Sequence, residues 1–444
     1  MTTALYLLGV LLFLVGIGVS IALHELGHLV PAKRFGVKVT QYMVGFGPTL
    51  FSRRKGDTEY GVKLLPLGGY IAMPGMYPPE EVTGARSRGR GFFSRAMADA
   101  REYSNEQIAP GEEHRTFYAL SVPKRLVVMF GGPLVNLVLG IGIMAVVLMG
   151  IGVLTPTPTV QTVVECAVPA SEADRDCTAD DPRTPAWEVG IEPGDRITAI
   201  DGVPIPDWDT LGSTVEEAAG TTVPVVVDRG GEELTFDVPV METERVVTDE
   251  DGFVVYTDEE RTEPATEITG FLGIQAAQEY RGIPAREFPG EMWGMITQTF
   301  HALLTLPQKL VDVGRVAFTD EERDPEGAIG VVGVGRIAGE VVSTDQLDLV
   351  EKASTGLSLL GGLNLFLFAF NMVPLLPLDG GHIAVGLYEG ARRRINLWRG
   401  SGTTGPFDTA RLLPLTYVMV GLMLCMTALL VWVDLFEPVR LFAE

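Results

Sequence analysis

Apolar residues crowd into four stretches of this chain, at residues 5–30, 126–154, 357–373 and 413–433. Each is near the roughly 20 residues a helix needs to cross a bilayer core, so the pattern predicts four transmembrane helices. Between the second and third, residues 155–276 change character. Short β-prone runs at 159–164, 196–200, 223–227 and 234–238 are separated by turn signals such as Asp201-Gly202 and Gly230-Gly231, as in a compact domain. Residues 171–184 and 249–263 are acidic excursions from it. Residues 292–318 have helical spacing, but Gln298, Pro307, Gln308, Lys309 and Asp312 interrupt them, which fits an interfacial helix better than a span. Residues 45–48 and 61–70 are glycine-rich, β-prone and apolar. They are either strands lining a cavity at membrane depth, able to pair with an extended substrate, or an ordinary cytoplasmic hairpin. Residues 78–114 are polar and are expected to be disordered.

Composition agrees with a membrane protein of more than one domain. The chain has 444 residues, 46% of them hydrophobic, and a mean hydropathy of +0.23. A net charge of −23 argues against nucleic acid as a partner. The basic residues are unevenly placed. Lys33, Arg34, Lys38, Arg53, Arg54, Lys55, Arg86, Arg88 and Arg90 follow the first span, and Arg392, Arg393, Arg394 and Arg399 follow the third. The positive-inside tendency puts both loops in the cytoplasm and the acidic domain outside, with both termini outside. The first apolar run has no basic region before it and no small-residue cleavage site after it, so it is expected to be retained. Cys425 lies in an apolar run. Cys166 and Cys177 lie in a polar region and are either a disulfide pair or two free thiols; neither has the neighbours of a metal ligand.

The chemistry centres on His24-Glu25-Leu26-Gly27-His28. Four residues make about one helical turn, so both imidazoles can hold one Zn²⁺, with Glu25 beside them to accept a proton from water. The bland alternative is two interfacial histidines and a snorkelling glutamate. A catalytic zinc usually has three protein ligands, and Asp379 is the best third candidate. It follows Asn371, Pro374, Pro377 and Leu378, where two prolines break the helix. The alternative there is a helix cap. Depth favours the ligand. His24 lies about 28 Å along the first span and Asp379 about 33 Å along the third, and both spans run in the same direction.

These residues resemble the site-2 protease family of intramembrane zinc metalloproteases, in its bacterial branch with a PDZ domain. His24, Glu25 and His28 match its first motif. Asn371, Pro374, Pro377, Leu378, Asp379 and Gly380 match its Asn-Pro-Pro-Leu-Asp-Gly motif in order, and Gly132, Pro133 and Asn136 match its Gly-Pro-x-x-Asn element. Residues 189–197 and 200–202 look like a bacterial PDZ loop and strand. The resemblance implies a polytopic α-helical membrane protein with about four transmembrane helices, membrane-associated β-strands and one α/β PDZ-like extracytoplasmic domain.

The implied divisions are residues 1–30, 31–125, 126–154, 155–276, 277–356, 357–390, 391–412 and 413–444: first helix, β-region and loop, second helix, PDZ-like domain, amphipathic segment, third helix, cytoplasmic loop and fourth helix. His24, His28 and Asp379 are implied to bind one Zn²⁺, and Glu25 to be the general base. Asn371, with Gly68 and Gly69 of the glycine-rich strands, is where an opened substrate would be held. Asn136, Gly132, Pro133, Pro374 and Pro377 would support the site. His382 is placed near it but not as a ligand; His114 and His301 are bystanders.

The implied activity is peptide-bond hydrolysis within the transmembrane segments of single-span proteins, such as trimmed anti-sigma factors or remnant signal peptides, in the inner or plasma membrane. Two other readings stay open at this point: a membrane-tethered PDZ scaffold with an inactive metal site, and a metal-ion transporter.

Overall fold

The computed structural model describes residues 2–83, 91–168, 177–178, 181–246, 265–318, 327–400 and 405–437. It divides into two compact units, Met1–Ile151 with Ile283–Glu444, and Gly152–Gly282.

The first unit opens with α1 (Thr2–Arg34), then β1 (Gln41–Lys55) and β2 (Thr58–Ala72). Two helices follow, α2 (Glu80–Thr83) and α3 (Phe92–Glu106), before α4 (Val122–Ala145), which continues as a wider π turn over Val146–Ile151. Among the described residues, four helices are long and apolar enough to cross a membrane: Thr3–Arg34, Val122–Ile151, Leu349–Asn371 and Thr409–Phe436. They coincide with the four apolar stretches, so the polytopic helical membrane fold is borne out. Leu7, Leu11, Val15 and Val19 stand exposed along α1, as expected where lipid is the solvent and the backbone is satisfied within the helix.

Apolar attraction cannot sort helices from lipid, so close backbone approach does. Glycines mark the crossings. A Cβ on Gly27 of α1 would strike the Gly131 carbonyl of α4, and one on Gly131 would strike Gly27. A Cβ on Gly140 would meet Leu365 at 2.7 Å, and one on Gly361 would meet the Met144 sulfur at 2.7 Å.

The glycine-rich strands form a small sheet folded back on itself. Residues 41–44 pair with 69–72 on one side and 59–62 on the other, and 58–62 pair again with 51–55. The bends fall where Gly45 and Gly47 take φ of 95° and 84°. The arm at 69–72 has β1 on one side only among these pairings.

The segment expected to be disordered is partly ordered. Residues 84–90 lie outside the described residues, but α3 is a 15-residue helix whose Arg101 is buried. Arg101 donates to Glu80 at 2.8 Å and to Asp408 at 2.7 Å. A polar sequence has little apolar surface to bury; here charge pairing does the anchoring.

The second unit holds β3 (Val153–Val163), α5 (Pro185–Val189), β4 (Arg196–Ile200), β5 (Val203–Pro204), α6 (Trp208–Glu217), β6 (Thr222–Arg229), β7 (Glu232–Pro239), β8 (Met241–Val246), β9 (Thr266–Phe271) and β10 (Ile274–Arg281). The main sheet runs β10-β3-β4-β6-β7, with β5 on β4. Val160, Ile197, Ile200, Val225, Val227 and Val238 alternate inward and pack against Ala186, Leu211 and Val215 of the helices. Asp207 caps α6 by accepting from the Thr210 amide. The four β-prone runs fall on β3, β4, β6 and β7. The expected end at residue 276 is six residues short, because β10 continues to Arg281 and pairs with β3. Cys166 and Cys177 are joined as a disulfide. Most of the acidic excursion at 171–184 and all of that at 249–263 lie outside the described residues.

The chain returns to the first unit through α7 (Phe288–Phe318), α8 (Val331–Ser343), α9 (Leu349–Asn371), α10 (Asp379–Trp398) and α11 (Leu413–Phe436). Pro307 lies inside α7. The division 357–390 holds two helices, separated where the two prolines predict a break. α9 ends at Asn371, and α10 starts at Asp379 and runs on to Trp398, into the first part of the expected loop at 391–412. Pro374 and Pro377 supply no amides for helix continuation, and that separates the two.

Candidate metal centre

Three elements that are distant in sequence meet at the site: α1, the start of α10 and the middle of α4. His24 and His28 lie one turn apart on α1, and their Nε2 atoms are 3.2 Å apart. Each Nε2 is 3.3 Å from the Asp379 Oδ2. Among the described residues, this is the group of three His, Cys, Asp or Glu side chains whose ligand atoms converge as a metal site requires. A tetrahedral ion bound at about 2.0–2.1 Å spaces its ligand atoms about 3.3 Å apart. The triangle observed has that size, so the donor set fits zinc.

The surroundings orient the ligands. His28 Nδ1 lies 2.8 Å from the Val128 carbonyl; donating there leaves Nε2 with its lone pair free, the arrangement metal-bound histidines use. A Cβ on Gly132 would collide with His28 Nε2 and lie 2.8 Å from His24 Nε2. Only a glycine lets α4 approach the imidazoles this closely. Asn136 is one turn further on the same face of α4, 1% exposed, with its Oδ1 unpartnered. Pro133 is buried beside Gly132.

Glu25 is 7% exposed. Its neighbour is the sheet: a Cβ on Gly69 would lie 2.8 Å from Glu25 Cγ. Gly69 therefore brings the one-sided arm of the sheet against Glu25. Gly68 has φ of 144°, and a Cβ there would meet the Phe46 ring at 2.6 Å. The Tyr42 hydroxyl donates to the Ala22 carbonyl at 2.6 Å, tying the sheet to α1 just before His24.

Asp379 stands first in α10. A Cβ on Gly380 would strike the Val373 carbonyl, and one on Gly381 would lie 2.5 Å from the Leu376 amide, so both glycines are needed for the turn that aims the carboxylate. Pro374 and Pro377 are exposed in that turn. Asn371 ends α9, with its side-chain amide on the Leu367 carbonyl at 3.0 Å. His382, His114 and His301 are not among the converging residues, and His114 and His301 are exposed.

Sequence reasoning missed the Gly27–Gly131 crossing. It also missed a buried contact one turn before His24, where Asn364 of α9 donates to the Ser20 hydroxyl at 3.0 Å. The adjacent Gly131-Gly132 pair was the available signal for the first; nothing local marked the second.

The comparisons with known proteins agree with this geometry. A family model described as peptidase family M50 matches residues 12–401. Zinc metalloprotease Rip1 of Mycobacterium tuberculosis is 33% identical over 99% of this chain and 100% of its own length. Rip1 of Mycolicibacterium smegmatis is 31% identical over 98% and 99%. Zinc metalloprotease RasP of Shouchella clausii is 24% identical over 86% and 90%. A helix-borne His-Glu-x-x-His closed by a distant aspartate, and a match over most of the chain, have one conclusion: this chain belongs to peptidase family M50, the site-2 proteases.

Proposed function

We propose that this protein hydrolyses peptide bonds within the transmembrane segments of single-span membrane proteins. It is a zinc metalloprotease of the membrane, and its cofactor is Zn²⁺. In this reading His24, His28 and Asp379 hold the ion and Glu25 is the general base. The observation that carries it is the triangle of ligand atoms, with sides of 3.2, 3.3 and 3.3 Å, beside a buried glutamate that is not part of it. Bound zinc supplies Lewis-acid activation of water and of the scissile carbonyl. Glu25 takes the proton from that water on a carboxylate oxygen and later delivers it to the leaving nitrogen.

A substrate helix hides its amides in internal hydrogen bonds, so it must open locally. The arm at 69–72 offers a backbone edge against Glu25, where an opened segment can add as a strand. Asn371 is the side chain assigned to hold it, on swinging away from Leu367. By the basic-loop asymmetry the site is near the cytoplasmic face, and Gly152–Gly282 is the PDZ-like domain on the outer face. That domain controls access: it obstructs proteins that keep large outer domains and admits trimmed ones, of which shortened anti-sigma factors and remnant signal peptides are examples.

Glu25→Gln tests the reading. Zinc stoichiometry should be unchanged while cleavage of a single-span substrate falls by about 10²–10⁴. Full cleavage with metal retained removes Glu25 from the mechanism. The scaffold reading predicts no cleavage by the parent protein, and the transport reading predicts metal flux through it; neither accounts for a base placed beside a three-ligand site.

A further inference from the structure

Beside the turn that aims Asp379, α10 forms one wall of a cavity of about 470 Å³. Its apolar lining includes Leu375, Ala384, Val385, Tyr388, Phe407 and Leu415. The cavity lies on the face of α10 turned away from α4. The opposite face is closed: a Cβ on Gly386 would lie 3.0 Å from Leu126 and one on Gly390 3.3 Å from Val122, while buried Glu389 accepts from Arg125 at 2.5 Å. None of the cavity-lining residues is one of the proposed ligands or the base.

At helical spacing the cavity face continues from Ala384 and Tyr388 to Arg392, Ile395 and Arg399. Ile395 and Arg399 are exposed there, and Trp398 beside them is 88% exposed. Arg392 makes a bond to the Gly405 carbonyl at 2.7 Å, and its Nε is unpartnered. Arg394 and Arg399 have no carboxylate partner among the described residues. Arg411, 62% exposed, precedes the lining residue Leu412. The two nearby carboxylates are already engaged: Glu389 by Arg125 and Arg393, and Asp408 by Arg101 and Arg411. An acidic protein thus concentrates unneutralised arginines at one end of an apolar cavity, which is lined also by Leu415 of α11, a helix long and apolar enough to cross a membrane.

We propose that this cavity binds one anionic phospholipid, with an acyl chain along Ala384, Tyr388 and Leu415 and the phosphate at Arg392 and Arg399. Guanidinium groups bind phosphate in charge-assisted pairs, and an exposed tryptophan beside them suits the headgroup level of a membrane. The apolar lining argues against a fully polar ligand, and the arginine rim against an apolar peptide segment. Bound lipid would sit against the turn from Leu375 to Gly381 and so stiffen the support of Asp379.

The test is native mass spectrometry of the delipidated full chain in neutral detergent, titrated with phosphatidylglycerol, phosphatidylcholine or glycerol phosphate. One phosphatidylglycerol should bind in preference to phosphatidylcholine, and glycerol phosphate should not compete with it. Each arginine near a membrane surface contributes about fivefold, so Arg392→Gln with Arg399→Gln should weaken phosphatidylglycerol about 25-fold. Ala384→Trp, which fills the cavity, should remove binding with zinc content unchanged. Equal binding of the two lipids, or an unchanged affinity in the arginine variant, overturns the proposal. So does glycerol phosphate binding that survives Ala384→Trp, which would mark a phosphate site alone. Ala384→Trp that keeps lipid but loses cleavage in phosphatidylcholine vesicles would assign the cavity to substrate instead. Should Ala384→Trp not fold, the arginine variant decides by itself.

Discussion

Gly132 shows how much one hydrogen atom in place of a methyl group decides at this site. Alanine is the better helix former by about 1 kcal/mol, so Gly132→Ala should not harm α4 as a helix. Its Cβ, however, would occupy the space of the two Nε2 atoms. The expected outcome is a folded protein whose zinc affinity falls by about 10–100-fold or more, the scale seen when the groups orienting metal ligands are disturbed. Gly142→Ala is the control, because nothing lies within 4 Å of a Cβ there. Competition with a chromophoric chelator reads both. Equal zinc affinity in the two variants would show that α4 does not press on the imidazoles.

At the scale of elements, the site depends on the register of α10 against α4. Asp379 and Glu389 belong to the same helix, and Glu389 is the end that is tied down. It is 0% exposed, accepts from Arg125 and Arg393 at 2.5 and 2.6 Å, and takes the Phe407 amide at 3.0 Å. Glu389→Ala leaves Arg125, itself 7% exposed, buried without its carboxylate. Breaking such a pair commonly costs about 3–5 kcal/mol. Thermal unfolding in detergent should shift down, and zinc should dissociate below the unfolding transition as Asp379 loses its placement. A variant that unfolds earlier but holds zinc up to that transition would make the pair a matter of stability only.

At the scale of the molecule, the two units invite separate tests. Gly152–Gly282 has its own apolar core and a disulfide, so expressed by itself it should fold cooperatively. Asp195 gives it a pH signature. Burial pushes the Asp195 carboxyl up, but the Arg229 guanidinium, at 2.7 Å to both oxygens, and the Glu192 amide overcome this and hold it below the usual carboxylate range. A lowered folded value means the stabilisation is complete above the ordinary carboxylate pKa and is lost as pH falls through the folded one. Acid unfolding of this unit should therefore move to higher pH in Arg229→Gln, with about 1.5–3 kcal/mol lost at neutral pH, the range for hydrogen bonds to a charged group. An unchanged acid transition would show the pair contributes nothing. Topology is tested on the whole chain. A cysteine placed at Ser94 should label only from the cytoplasm and one at Thr210 only from outside, and labelling of position 94 from outside would invert the orientation.

The sequence by itself determined the four spans, because a bilayer demands about 20 apolar residues whatever the packing. It also determined the ligand types, since His-Glu-x-x-His fixes two donors one turn apart by helix geometry alone, and two prolines before Asp379 announced a break. The β-strands of Gly152–Gly282 were legible where alternation and turn residues agreed; β10 was not, because its residues are half-exposed and mixed in polarity. Tertiary structure alone decided the rest. α3 reads as disordered until Glu80 and Asp408, the latter 307 positions away, bind Arg101. The close approach of α4 to the two imidazoles depends on there being no side chain at Gly132. The placement of Gly69 on Glu25 depends on a sheet that folds back across its own first strand. Each of these is a contact between segments far apart in the chain, which local propensity and periodicity do not encode.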